Sequence, residues 1–292
     1  MQNFPLVSVI CLSYNHEAYV VEALNSVINQ NYPKIELLIA DDCSTDDSVS
    51  VIQNWLTDNP TIHFVSNQKN LGNTQTFNNL ARIAKGEYII DLAADDVLLE
   101  NCIAKQIETF QNSNYSNLGI VYGNLIEIDA NGNFIGNYYT EEDQPKSGDI
   151  YKMVIGRSTK ICSVTSMVKK SVFEKLGYYN ESLAYEDLDL WVRVSRKHAF
   201  EYIPMVLAKK RILSNSLSAH FLKKNSTISK KLHLSTLKIL HTAYLLNQSK
   251  DEHKALLGRI RFECYKFLKS RQFILLTKLL LLEIKVRVKI IS

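Results

Sequence analysis

The sequence predicts an α/β fold: a mixed, mainly parallel sheet flanked by helices, followed by a helical extension. Three observations predict it. Short β-rich apolar runs alternate with segments of helical periodicity through the first third of the chain, hairpin-like strands come next, and beyond Lys223 the composition turns helical and basic. Such alternation implies parallel strands joined by right-handed crossovers.

The elements follow in order. Leu6 to Leu12 is a nearly continuous apolar run of the length a buried parallel strand needs. Val20, Leu24, Val27 and Ile28 recur at helical spacing, and Pro33 closes that pattern before a second strand, Ile35 to Ala40. Ser44-Thr45-Asp46-Asp47 then places capping and acidic residues ahead of Val49, Ile52, Trp55 and Leu56. Ile62 to Val65 reads as a third strand, Phe77, Leu80, Ala81 and Ala84 as one face of a third helix, and Tyr88 to Leu92 as a fourth strand entered through Gly86. Ile120 to Tyr122 and Leu125 to Ile128 are strand-like, and Ala130-Asn131-Gly132-Asn133 carries a hairpin signal, so the sheet is expected to become mixed. Cys162 to Val168 reads as another strand, Ser171 to Leu176 as a short helix stopped by Gly177, and Leu188 to His198 as a helix with Leu190, Trp191 and Val194 inward.

Composition narrows the function classes. With 292 residues, 46% hydrophobic and 22% charged, the chain can bury a large core, which excludes disordered, collagenous and disulfide-scaffold readings. The five cysteines are scattered and lack C-x-x-C spacing, so a reducing cytoplasm fits and a zinc site is not indicated. Met1 to Leu6 shows no secretory signal pattern, and the mature chain is expected to start near Met1. From Lys223 onward 16 Lys and Arg face 4 Asp and Glu, a net +12 within a chain of net +4, so the body before it is acidic. No uncharged apolar stretch approaches the ~20 residues of a membrane-spanning helix; the longest, Phe273 to Leu282, is interrupted by Lys278.

Neither G-x-G-x-x-G nor G-x-x-x-x-G-K-[ST] occurs, which argues against dinucleotide dehydrogenases and P-loop enzymes. Carboxylates stand at strand ends instead: Asp41-Asp42 after the second strand, Asp95-Asp96 after the fourth, and Glu186-Asp187 before a helix. Ligands of open α/β sheets bind at those carboxyl ends. Like charges gathered there call for a cation, and oxygen ligands suit Mg²⁺ or Mn²⁺ bound through one or two carboxylates plus substrate phosphates. Asp46-Asp47 is better read as a helix cap or a solvated turn. His16, His63 and His198 have no partner at ligand spacing, and structural roles suit them better than metal binding.

In order and spacing these blocks resemble the family 2 glycosyltransferases of GT-A fold. The resemblance runs from Val7 to about Ser218: the opening strand ending Ser13-Tyr14-Asn15-His16-Glu17, then Ser26-Val27 and Gln30-Asn31-Tyr32, Asp41-Asp42-Cys43-Ser44-Thr45-Asp46, Asn70-Leu71-Gly72, Gly86-Glu87-Tyr88-Ile89 leading to Asp95-Asp96, and Tyr185-Glu186-Asp187-Leu188-Asp189-Leu190-Trp191. It implies a GT-A-like domain over residues 1–218 and a basic amphipathic extension over 219–292. It further implies an inverting, metal-dependent sugar transfer of hexosyltransferase type. By the same resemblance the donor would be a nucleotide-diphosphate sugar with uridine as its base, and the acceptor a glycan or lipid-linked hydroxyl in cell-surface polysaccharide synthesis. Carried over residue by residue, Ser13, Asn15, Glu17, Asp41 and Asn70 surround the nucleotide, Asp95 holds the metal, Asp187 is the general base, and Asp96, Glu186 and Trp191 are acceptor or supporting residues. Trp191 reads equally well as core.

Two positions depart from the family pattern. Ala93 stands where an Asp-x-Asp-Asp segment would place its first acid, and Leu213 where some members carry a metal-binding His after Lys210-Arg211. Two other function classes stay open at this point. A sugar nucleotidyltransferase would carry a glycine-rich phosphate loop where this chain has Ser13-Tyr14-Asn15; a non-catalytic nucleotide-sugar module is favoured by Ala93 and opposed by Glu186-Asp187. The tail admits an anionic membrane surface, a helical cap or an oligomer interface; no nucleic-acid module is recognisable. The expected location is cytoplasmic, with peripheral attachment at the inner membrane face if the tail meets lipid.

Overall fold

The computed structural model describes residues 4–156, 161–214 and 217–291. The first residues of the Met1 to Leu6 stretch fall outside them. The chain divides into two compact units, one of Met1–Gly148, Ile161–Tyr179 and Ala199–Ile212, the other of Asp149–Lys160, Asn180–His198 and Leu213–Ser292. The boundary expected at Ser218 falls in the short 3₁₀ turn Leu217–His220, within the last of these segments.

The first unit is built on one sheet. Its parallel half comprises β1 (Val7–Ser13), β2 (Ile35–Asp41), β3 (His63–Ser66) and β4 (Tyr88–Ala93), in the order β3-β2-β1-β4. Between them run α1 (Val20–Ile28), α2 (Ser48–Leu56) and α3 (Asn73–Ile83). Val7, Val9, Ile10 and Cys11 of β1 are fully buried, as a strand covered on both faces requires.

The second half is mixed. After the two-residue β5 (Val97–Leu98) and α4 (Cys102–Asn112) come β6 (Leu118–Ile128), β7 (Phe134–Asn137), β8 (Met167–Lys169), α6 (Lys170–Leu176) and β9 (Ala199–Arg211); α5 and α7 to α10 belong to the second unit. The sheet continues from β4 as β8-β6-β9-β5, with β7 paired to β6 across the Asn131-Gly132 turn. β4 meets β8 antiparallel, whereas β6 and β9 run parallel. The Gly177 cap of α6 adopts a left-handed φ of 78°, which halts the helix where expected.

Three of the expected elements come out differently. The two runs from Ile120 to Ile128 form one strand. Cys162 to Val168 supplies only the start of β8, because its hydroxyls take backbone carbonyls: Ser166 Oγ donates to that of Cys162 at 2.8 Å, and Thr165 Oγ1 to that of Cys162 at 3.2 Å and, across the sheet, to that of Gly123 at 2.8 Å. The helix expected to reach His198 stops at Ser195.

The second unit is helical: α5 (Tyr151–Ile155), α7 (Asp187–Ser195), α8 (Thr227–Leu246), α9 (Lys250–Lys269) and α10 (Phe273–Ile291). A capping box, Ser249 with Glu252, starts α9. Glu252 also pairs with Arg196 at 2.8 Å, whose guanidinium lies over the Tyr151 ring, tying α9 to α5 and to the end of α7. Among the described residues no helix is long and apolar enough to cross a membrane.

Candidate active site

Register places the candidate residues of the first unit. Ser13 pairs with Asp41 across β1 and β2, and Leu12 with Ala93 across β1 and β4, so the carboxyl ends of three parallel strands lie side by side. Loops leaving those ends carry Asn15, Glu17, Asp95 and Asp96.

The first two loops are fastened together. Ser44 donates through its backbone N–H and hydroxyl to the two oxygens of Asp41, at 2.8 and 2.5 Å, and Ser44 Oγ accepts from the Asn15 N–H at 2.8 Å. Asn15, at φ 58°, accepts from the Thr45 N–H through Oδ1, a left-handed conformation that asparagine tolerates. Glu17 Oε2 accepts from the Asp47 N–H at 2.7 Å. Asp41 is fully buried and holds this turn; Ser13 Oγ is buried with no hydrogen-bond partner among the described residues. The capping role expected of Asp46-Asp47 rests on Asp46, whose Oδ1 accepts from Ser48 N–H and Oγ.

Asp42 organises the neighbouring segment. Its carboxylate accepts from Asn67 Nδ2, the Leu71 and Gly72 N–H groups and Thr76 Oγ1, at 2.8 to 3.0 Å. Asn70 sits exposed in the loop so held.

Asp95 and Asp96 turn out of β4 in different environments. Asp95 is partly exposed, with Oδ2 3.9 Å from His16 Nε2, while His16 Nδ1 is buried with no hydrogen-bond partner among the described residues. Asp96 is 4% exposed and accepts from the Arg211 N–H at 2.9 Å; burial, then the adjacent Asp95, push its carboxyl upward. Arg211, at the end of β9, is the centre of this region. Its guanidinium donates to the carbonyls of Asp95, Asp129 and Ala130, pairs with Glu22 at 2.6 Å and lies over the Tyr19 ring.

Glu186, Asp187 and Trp191 belong to the second unit. Glu186 is the N-cap residue of α7 and Asp187 its first residue, with Asp187 Oδ1 accepting from the Leu188 N–H. Trp191 is buried, 5% exposed. The segment just before α7 is held by α8: Ser235 Oγ accepts from the Ala184 N–H at 2.8 Å, and the Tyr185 hydroxyl meets Thr236 Oγ1 at 2.7 Å.

The sequence model of Glycosyl transferase family 2 matches residues 8–177, more than half the chain. The protein is a family 2 glycosyltransferase. A β-1,3-glucosyltransferase of Campylobacter jejuni named for GalNAc(5)-diNAcBac-PP-undecaprenol is 26% identical over 285 residues, covering 97% of this chain and 90% of that one. The teichuronic acid biosynthesis glycosyltransferase TuaG of Bacillus subtilis is 27% identical over 217 residues, 74% of this chain and 82% of that one. Among solved structures, TarS of S. aureus in complex with UDP superposes with a TM-score of 0.66 at 16% identity, covering 91% of this chain and 73% of that one. That likeness identifies the fold of the glycosyltransferase as GT-A.

Sequence reasoning missed two groups in this enzyme. The Arg211–Glu22 pair joins residues 189 apart, which no local pattern announces. Asp91 did leave a signal, a lone acid within the apolar run of β4. It is half-buried, accepts from the Tyr179 hydroxyl at 3.0 Å, and desolvation raises its carboxyl to about 7. Between about pH 4 and pH 7 the folded protein therefore keeps a proton that the unfolded chain has released, and stability falls as pH rises, by on the order of 4 kcal/mol in all. Urea unfolding at intervals across that range should show the Asp91→Asn variant with a flatter profile and greater stability than the parent above pH 7. Parallel profiles would mean that Asp91 is ionised in the folded state.

Proposed function

We propose that this glycosyltransferase moves a sugar, with inversion, from a uridine-diphosphate donor to a hydroxyl of a glycan or lipid-linked acceptor in cell-surface polysaccharide synthesis. The observation that carries the reading is the convergence of the β1, β2 and β4 ends, which sets Ser13, Asn15, Glu17 and Asp41 beside the turn bearing Asp95. The names of relatives support it: one is named for an undecaprenol-linked glycan and another for teichuronic acid biosynthesis, and the fold neighbour TarS was crystallised with UDP and with UDP-GlcNAc.

In this reading Ser13, Asn15, Glu17, Asp41 and Asn70 bind the nucleotide. Asp187 accepts the proton of the acceptor hydroxyl as its oxygen bonds to the anomeric carbon and the bond to the diphosphate breaks opposite. Asp96, Glu186 and Trp191 support the acceptor side. A Mannosyltransferase from Pyrobaculum calidifontis, similar in fold with a TM-score of 0.56 at 17% identity, was solved with GDP-Man and Mn²⁺. Among the described residues no group of three or more His, Cys, Asp or Glu could hold a metal ion. The donor set nevertheless suits Mn²⁺ or Mg²⁺ that draws most of its ligands from a diphosphate: Asp95 is a partly exposed carboxylate beside His16, whose second nitrogen is buried with no partner among the described residues. Such an ion would neutralise charge developing on the departing diphosphate.

The test is the thermal midpoint of the purified protein with UDP, with and without Mn²⁺, against GDP and CMP. A ligand at a hundredfold excess over its dissociation constant stabilises the folded state by about 2.7 kcal/mol. A rise with UDP that requires Mn²⁺ is expected. A shift with GDP or CMP alone would replace the donor, and no shift with any nucleotide would overturn the reading.

A further inference from the structure

The final helix carries two apolar faces. On α10, Leu275, Leu279, Leu282 and Val286 recur at spacings of three and four and are buried within the second unit. At 3.6 residues per turn a second apolar stripe falls on the opposite side: Phe273, Ile274, Leu281, Ile284, Val288 and Ile291. All six are exposed, Ile274 at 73% and Ile291 at 83%. A surface helix of a globular protein normally turns its charged side to water. Here the cations stand at the borders of the stripe, with Lys278, Lys285 and Lys289 along one edge and Arg287 along the other. Glu283, the one acid of α10, is largely buried and engaged by Arg287 at 2.6 Å and Arg261 at 3.6 Å, so it does not offset the lysine edge.

We propose that this stripe docks on an anionic phospholipid surface, with α10 lying in the interface plane. An apolar band bordered by lysines suits acyl chains below and anionic headgroups beside. The basic charge from Lys223 onward, net +12, acts in the same direction. A symmetric second copy fits less well, because joining two such stripes would bring lysine borders of like charge together. A nucleic acid would meet the cations and leave the apolar band in water. The inference is independent of donor and acceptor identity, since its readout is lipid binding.

Flotation of the full chain with phosphatidylcholine vesicles, with and without phosphatidylglycerol, tests it. Binding is expected only where phosphatidylglycerol is present, and should weaken as salt rises. Changing Lys278, Lys285 and Lys289 together to Gln should lower partitioning about a hundredfold. The pair Ile284→Glu and Val288→Glu should abolish binding with the thermal midpoint kept. Ile291→Glu, in the last turn, repeats the apolar test where folding is least at risk. Equal binding to both vesicle types, no binding to either, or binding that survives the glutamates would overturn the proposal. So would a sedimentation dimer that the same glutamates dissociate, with vesicles left unbound.

Discussion

Replacing Asp187 by asparagine is expected to lower sugar transfer by about 10² to 10⁴-fold, the range that a positioned general base contributes. The substitution keeps the shape and an Oδ1 that can still accept from the Leu188 N–H, so the start of α7 should persist. What it removes is the lone pair basic enough to take a hydroxyl proton, together with a negative charge whose interaction with the helix dipole is worth about 0.3–1 kcal/mol. The residues proposed to bind the nucleotide all lie in the other unit, so the expected UDP-induced rise in thermal midpoint should be unchanged. Initial rates beside thermal shifts decide the matter: turnover within a few-fold of the parent removes Asp187 from the chemistry, and loss of the UDP shift would make it a binding residue.

The second large effect is expected at Arg211. Arg211→Met keeps some of the apolar length but strips donors from the carbonyls of Asp95, Asp129 and Ala130 inside a region where the arginine side chain is 2% exposed. Truncating one member of a buried charged network typically costs about 3–5 kcal/mol. Glu22 is half exposed and its share of the pair is screened, so Glu22→Gln should cost less than about 1 kcal/mol. Arg211→Lys should fall between, because one ammonium can meet Glu22 but cannot fan out to three carbonyls. Urea unfolding of the three variants gives the order. Equal costs for Glu22→Gln and Arg211→Met would place the energy in the ion pair rather than in the carbonyl network.

The parallel half of the fold could be read from sequence because each strand there is a short apolar run bounded by a turn residue, and each helix shows one apolar face. β9 could not. Its thirteen residues include Pro204, Lys209 and Lys210, and its pairing with β6 jumps from Gly123↔Ile203 to Asn124↔Val206, leaving Pro204 and Met205 in a bulge. Gly123 is required there: a Cβ would lie 2.5 Å from Leu207 Cδ1. α4 was missed although Ile103, Ile107 and Phe110 have helical spacing and are buried. The acidic positions at the strand ends were visible as motifs, and the structure sets Ser13 level with Asp41 and puts Asp95 two residues past β4. Their division of labour was not visible. Asp42, which reads as the twin of Asp41, is tied by four hydrogen bonds to the 67–76 segment, and only the return of a distant loop reveals that.

β9 also bears on how the chain is made. The four parallel strands are complete once Ala93 has been synthesised, yet β5, which follows at once, has its partner only in Lys209 and Ala208. At about 5–20 residues per second, on the order of ten seconds of translation separate the two. Throughout that interval the nascent protein holds a strand edge waiting for β9, and Arg211, the last residue of β9, has not yet reached Asp95. Slowed elongation between codons 93 and 211 would lengthen this exposure, so synthesis rate in that window should govern the soluble yield more than the same slowing placed in the helical tail.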